Sequence, residues 1–306
     1  MKSTTWSFYG EAVTAAVARI VSGLDTALDL EDLARRAALS PFHFHRIFRG
    51  MVGETPLQFH RRLRLERAAW RLQHDGASVT SIALDAGYDT HEAFTRAFGA
   101  HYGSSPSEFR AVGGDRDPGT RLSTIELPSR SGIHFSPHAS ARPEIFATRG
   151  ASEMDVHVEE LPELHLAAVR HVGPYRLLGT AFQELTRLVA AGRLFRPDTM
   201  LMVIYHDDPE TTPEAELRSD AAATVPAGTE LPPGLTPGRL RPGRYARITH
   251  VGSYAGLGDA WARFMGEWLP RSGERVGDGV PFEVYRNNPS QVPEDKLRTD
   301  LFLPLA

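Results

Sequence analysis

The sequence predicts a multidomain protein: an all-α double helix-turn-helix domain followed by an α+β domain of two βαββ repeats related by a pseudo-twofold. Three observations carry that prediction. Apolar residues at helical spacing run through the first third of the chain, a Phe-x-Arg-x-Phe pattern occurs there twice at an offset of fifty, and the second half repeats itself at an offset of 79 to 80.

In chain order, Tyr9, Val13, Ala16, Val17, Ile20 and Leu24 mark a first helix over Phe8 to Leu24. Asp29 can cap the next, Leu30 to Ala38. Ser40 caps and Pro41 begins a helix through SPFHFHRIFRG, where the missing proline N–H costs nothing. Phe44, Ile47 and Phe48 share one face of it, leaving Phe42, His43, His45, Arg46 and Arg49 pointing elsewhere, on an outer face suited to a DNA groove. Pro56 starts a long helix to about Gln73, with Leu57, Leu63, Ala69 and Leu72 for packing and an arginine-rich side left exposed. Ser78 to Ala86 supports the second motif, Gly87 ends it, and Asp89 or Thr90 caps the helix in THEAFTRAFG. There Phe94, Arg96 and Phe98 stand fifty positions after Phe44, Arg46 and Phe48. Ser105, Pro106 and Glu108 form a capping box before Phe109.

The net charge of −4 divides unevenly. Residues 1–113 hold 13 Lys+Arg and 12 Asp+Glu, giving +1, and the remainder holds 34−13 = 21 against 38−12 = 26, giving −5. Arg61, Arg62, Arg64, Arg67 and Arg71 crowd one helix, so the first domain is locally basic. The absence of cysteine excludes disulfides, thiol nucleophiles and cysteine-ligated zinc. Without a long apolar run or a signal-peptide pattern the expected location is cytoplasmic, with no membrane partner. The Gly- and Pro-rich texture after Val112 sets the boundaries: a first domain over 1–112, a linker over 113–152 with at most one or two short strands, and a second domain over 153–306. His134 and His138 fall in that linker with no third ligand nearby, so no metal site is read there, and no cofactor is called for.

In the second half, His171-Val172-Gly173-Pro174-Tyr175 recurs as His250-Val251-Gly252-Ser253-Tyr254, and Phe182 corresponds to Trp261. At offset 80, Tyr205-His206-Asp207-Asp208-Pro209 recurs as Tyr285-Arg286-Asn287-Asn288-Pro289, and Leu217-Arg218-Ser219-Asp220 as Leu297-Arg298-Thr299-Asp300. Each copy reads strand, helix, strand, strand: Leu164 to His171, Tyr175 to Ala190, Met200 to His206 and Arg218 to Val225, then Arg244 to His250, Tyr254 to Leu269, Phe282 to Arg286 and Leu297 to Leu303. One such unit encloses too little interior to stand alone, so the two should pair and leave a cleft. The Arg-Ser/Thr-Asp sequences are read as serving the strands and their ends. No Ser-His-Asp arrangement, P-loop or HExxH is visible.

The duplication singles out one position. Val203 in the first copy corresponds to Glu283 in the second, while the neighbouring positions agree. Glu283 and Tyr285 share a strand face. A buried acid among Tyr, Trp and Phe suits a pocket for lipophilic cations, the carboxylate supplying charge and the rings cation–π attraction and apolar burial. Tyr254, Trp261, Tyr175 and Trp268 are the candidate lining. The alternatives are a Glu283 on the solvent face or one paired with an arginine such as Arg286.

The doubled motif, SPFHFHRIFRGMVGETPLQF then YDTHEAFTRAFGAHYGSSPSEF, closely resembles the AraC/XylS family of transcription regulators over roughly residues 8–111. That resemblance implies two helix-turn-helix subdomains joined by a long helix and entering successive major grooves of promoter DNA. Its contact positions fall on Phe42, His45 and Arg46, with Arg49 beside them, and on His91, Glu92, Thr95 and Arg96; other members often carry an uncharged residue at the place of Glu92. Residues 154–305 resemble the GyrI-like, or SOUL-like, effector-binding domain through HVGPY/HVGSY, PFEVYRNNP and LRTDLFLP. Its ligand-binding glutamate corresponds to Glu283. The pair of resemblances implies a regulator, and an activator by type, that engages RNA polymerase under control of a small lipophilic, cationic effector, as a monomer or weak dimer. Two alternatives follow from relatives of the second domain: a small-molecule hydrolase using Glu283 with Tyr285 or Tyr254, or a module that sequesters drugs.

Overall fold

The computed structural model describes residues 4–112, 133–135, 154–207 and 212–306. The expectation of short strands within 113–152 lies outside these residues apart from 133–135, as does His138. The described residues group into two compact units, one within 8–149 and the other within 150–306 together with the first turn of the N-terminal helix. No described helix is long and apolar enough to cross a membrane.

The first unit is all-helical: α1 Thr4–Ser22, α2 Leu30–Arg36, α3 Pro41–Val52, α4 Pro56–His74, α5 Val79–Asp85, α6 His91–Tyr102 and α7 Pro106–Val112. The caps at Asp29, Ser40 and Thr90 are those read from the sequence, and Ser78, read as the first residue of its helix, is a further one. Asp29, Ser40, Ser78 and Thr90 each accept from a backbone N–H in the first turn of their helices. Ser105 and Glu108 exchange bonds of 3.3 and 2.8 Å as a capping box, and Thr55 with Gln58 forms another at the start of α4. Gly53 and Gly103 end α3 and α6 at φ of 87° and 72°, a left-handed turn that favours glycine.

The duplication is physical as well as textual. Phe48 packs against Phe44 and Phe59 at ring distances of 5.8 Å, and Phe98 packs against Phe94 at 5.4 Å and Phe109 at 5.3 Å. All but Phe109, which is 6% exposed, are fully buried. The same aromatic triangle therefore closes each motif.

The arginine-rich side of α4 departs from expectation. Arg62 is 6% exposed and lies between Glu54, 2.6 Å away, and Glu66, 2.5 Å away. Arg64 donates to the Leu24 carbonyl, Arg67 pairs with Asp25, and Arg71 bridges Asp75 and Asp85. Only Arg61 remains on the exposed face as expected. Four of the five arginines fasten the helix to its surroundings, because α4 runs through the middle of the unit and its charged positions face other elements. Glu66, 2% exposed, also accepts from the Phe135 N–H at 2.7 Å and meets His134 Nδ1 at 3.1 Å. Burial pushes its carboxyl upward, but the His134 bond, the Arg62 charge and the Phe135 N–H outweigh it and hold the group below the usual range.

The second unit is one eight-stranded antiparallel sheet in the order β1-β6-β8-β7-β3-β4-β2-β5. Its strands are β1 His157–Leu161, β2 Leu164–Val172, β3 Leu201–Tyr205, β4 Arg218–Val225, β5 Thr236–Leu240, β6 Gly243–Val251, β7 Phe282–Tyr285 and β8 Arg298–Pro304. The six strands read from the sequence appear within one or two residues of their expected ends. β1 and β5 were not expected. Both are edge strands, and Pro237 and Gly238 in β5 conceal it, since a ladder tolerates proline only at an edge. Each edge strand pairs within the half of the sheet built by the other repeat, β1 with β6 and β5 with β2.

The two repeats meet at the central pair β3 and β7, where Val203 stands directly opposite Glu283. Successive side chains alternate between sheet faces. One face packs Ala167, Ala221 and Ala223 against Ala181, Leu185, Leu188 and Val189 of helix α8, Leu178–Ala191. The other encloses Leu166, Met202, Ile204, Phe282, Val284 and Phe302, with Phe282 and Phe302 stacked at 4.6 Å. Helix α9, Leu257–Arg263, is the second repeat's counterpart of α8 and continues through a π turn, Phe264–Trp268, into α10, Leu269–Ser272. Before each helix, Gly173 and Gly252 sit at φ of 124° and 127°, the same turn made twice.

Truncating one member of a buried ion network strands the rest of its charge, so Glu66→Ala is expected to cost about 3–5 kcal/mol, against about 0.5 kcal/mol or less for Arg61→Ala. Chemical denaturation of the two variants side by side measures the difference.

Candidate functional site

Helices α3 and α6 present their outer residues unequally. Phe42, Arg46 and Arg49 are half-buried on α3, and His91, Glu92 and Arg96 are exposed on α6 with Thr95 half-buried. The Arg46 guanidinium lies 4.5 Å over the Phe42 ring, so the aromatic and the cation form one surface. His45 is not on that surface: it is 5% exposed. At seven residues' separation it lies about 20° around the helix from buried Val52, on the flank of the core face. Thr95, its counterpart in the second copy, is half-buried for the same reason. His43 is buried too; its Nδ1 lies 3.0 Å from the Ser40 hydroxyl, and burial, aided by the Arg46 charge, lowers its imidazole to about 4.

In the second unit the candidate residues converge on Glu283, which is 2% exposed. Trp261 Nε1 donates to Oε1 at 2.7 Å, and the hydroxyls of Tyr205 and Tyr285 donate to Oε2 at 3.1 and 3.3 Å. The strand register explains the arrangement. Tyr285 is two residues along β7 from Glu283, and Tyr205 two residues along β3 from Val203, so the tyrosines flank the carboxylate from opposite ends. Burial, and then the Glu283 charge, raise both phenols well above the ordinary tyrosine range, which keeps them protonated as donors. Tyr254 packs its ring on Tyr285 at 5.3 Å and is raised by burial first and Glu283 second.

The remaining predicted lining divides. Tyr175 packs on Tyr205 at 4.8 Å with the rings tilted by 59°, while its hydroxyl donates to the carbonyls of Asp207 and Arg218, tying it to the strand ends. Trp268 is not brought to the carboxylate; the π turn sets it against Phe264 at 5.3 Å, behind Trp261. Arg286 is excluded as the Glu283 partner, because it points to the other face and binds Asp300 at 2.6 Å. Two residues of the site escaped the sequence reading. Phe182 meets Tyr285 edge to face at 5.3 Å, and Tyr205 supplies a donor. The duplication held the signal for both, since they are the counterparts of Trp261 and Tyr285.

A model of the GyrI-like small molecule binding domain matches residues 154–306, and a model of a helix-turn-helix domain matches residues 33–111. Over 157 residues the chain is 32% identical to a DNA gyrase inhibitor of Erwinia billingiae, covering 50% of this chain and 98% of that protein. It is 29% identical over 164 residues to the probable transcriptional regulator YgiV of Escherichia coli, covering 50% and 97%. Over 103 residues it is 32% identical to the transcriptional activator AarP of Providencia stuartii, covering 34% and 76%.

Two titrations report on these sites. Unfolded His43 takes up a proton near pH 6.5 and folded His43 only near 4, so the unfolded chain binds more protons in between and stability falls as the pH drops through that window. The expected contribution is about 3 kcal/mol at its full extent, and a His43→Gln variant followed by denaturation at several pH values should show a shallower slope. In Glu283→Gln, loss of the neighbouring negative charge should let Tyr205 and Tyr285 ionise at lower pH than in the wild type, seen as earlier phenolate absorbance in an alkaline titration.

Proposed function

The chain belongs to the GyrI-like small-molecule-binding family over its second half and carries an AraC-type helix-turn-helix domain in its first, and from that membership we propose a cytoplasmic transcription activator controlled by a lipophilic cation. The observation that carries the effector reading is the Glu283 carboxylate, 2% exposed and held by the Trp261 indole N–H and the Tyr205 and Tyr285 hydroxyls, with the Tyr254 ring packed on Tyr285. An organic cation entering there gains the carboxylate's charge, ring faces and apolar burial together. The fully protonated phenols suit donors to a standing carboxylate, which favours binding over the hydrolase alternative; recovery of an intact ligand by mass spectrometry tests that preference.

For DNA we propose contacts by Phe42, Arg46 and Arg49 from α3 and by His91, Glu92, Thr95 and Arg96 from α6. His45 is left out because of its burial. Arginines on such helices read guanine or anchor phosphate. Regulation requires the effector to favour the form of the protein that engages promoter and RNA polymerase, since a ligand shifts an equilibrium only by its differential affinity. The likeness to the named activator AarP supports the sign of that effect.

Thermal melting with a panel of lipophilic cations should raise the wild-type melting temperature and leave Glu283→Gln unmoved; equal shifts in both proteins would remove Glu283 from the effector site. At a promoter site, Arg46→Ala and Arg96→Ala should each weaken binding by about 1–3 kcal/mol in a titration at fixed salt.

A further inference from the structure

The two Arg-Ser/Thr-Asp sequences do more than finish strands. Their aspartates serve one face of the sheet: Asp220 binds Arg170 and His206, and Asp300 binds Arg286 and Thr249. Alternation along the strand turns the preceding residues, Ser219 and Thr299, to the opposite face, which is that of Glu283. Ser219 shares that face with Ala221 and Ala223, and Thr299 with Leu301, the cross-strand neighbour of Glu283. Both are 0% exposed, and both hydroxyls are buried without a hydrogen-bond partner among the described residues.

Their cross-strand neighbours direct bonds elsewhere. Ser219 lies between His171 and Tyr205 across the strands, and Thr299 between His250 and Tyr285, so the same row of histidine, hydroxyl and tyrosine is built twice. The tyrosine hydroxyls turn to Glu283. The histidines give Nε2 to their own loops, at 3.1 Å from the Pro174 carbonyl and 3.0 Å from that of Ser253. A buried hydroxyl left in this state is destabilising, and the fold keeps one at two related positions while the other residues facing the site on these strands are apolar.

We propose that Ser219 and Thr299 are specificity-determining ligand contacts, two polar subsites flanking Glu283, that select organic cations bearing a hydrogen-bonding group away from the charge. From strand spacing and rise, Thr299 lies about 8 Å and Ser219 about 12 Å from Glu283, backbone to backbone, which sets the separation the ligand must span. This inference rests on the effector reading of Glu283 and names the second feature of the molecule that the site takes.

The test uses the full chain and two probes, tetraphenylphosphonium and its analogue with one para-hydroxyl group, on the wild type, the double variant Ser219→Ala/Thr299→Val, and Glu283→Gln. On the wild type the hydroxylated cation should bind roughly three- to tenfold more tightly, the value of one net hydrogen bond. In the double variant that ratio should fall toward one, and Glu283→Gln should weaken both cations. Without ligand, the double variant should melt at or above the wild-type temperature, because it removes groups that bond to nothing. A ratio that survives in the double variant, or a clear drop in its unliganded melting temperature, overturns the subsites while leaving the Glu283 reading intact. Failure of both cations to bind the wild type overturns the two together.

Discussion

A carboxylate that is 2% exposed must be met by donors or surrender its charge, and the second unit is built around meeting that demand at Glu283. The donors come from both repeats: Tyr205 from the first, Trp261 and Tyr285 from the second. They converge because β3 and β7 pair at the centre of the sheet with Val203 facing Glu283, so the symmetric scaffold brings two tyrosines to one acid. A single repeat could offer neither the interior nor the second tyrosine. Pairing of the repeats and construction of the site are thus one event, and the valine at the related position leaves room for one charge only.

The same rule organises the first unit with a different outcome. Arg62 and Glu66 are buried together on α4 with the half-buried Glu54 beside them, and the backbone of residues 133–135 completes the bonding of that cluster. There the charges satisfy one another and hold the long helix in place. Four of the five arginines of α4 are thus engaged within the unit. The Phe42 ring beneath the Arg46 guanidinium shows how the outer face of α3 tolerates a half-exposed aromatic.

Most of the architecture was legible in the sequence because it depends on local signals. Caps at Asp29, Ser40 and Thr90, glycines at the turns and the two duplications place nearly every element within a residue or two. The misses have physical causes. β1 and β5 are edge strands with weak patterning and, in β5, a proline; His45 sits at a helical angle close to the core face; Trp268 is re-aimed by a π turn that periodicity does not announce. Glu283 was legible because its own repeat supplied a contrast; Tyr205 matches Tyr285 and so offers no contrast, and its part in the site follows only from the pairing of β3 with β7.

By itself the sequence determined the order of elements, the two repeated frames and the identity of the odd acid among them, since each of these is written in spacing of a few residues or in likeness at a fixed offset. Only the tertiary structure decided which groups meet. The bond from Tyr205 to Glu283 spans 78 positions and that from Phe135 to Glu66 spans 69. Strand register and helix rotation choose such partners, and both are settled by how whole faces bury against each other, a global balance that no short stretch of residues contains.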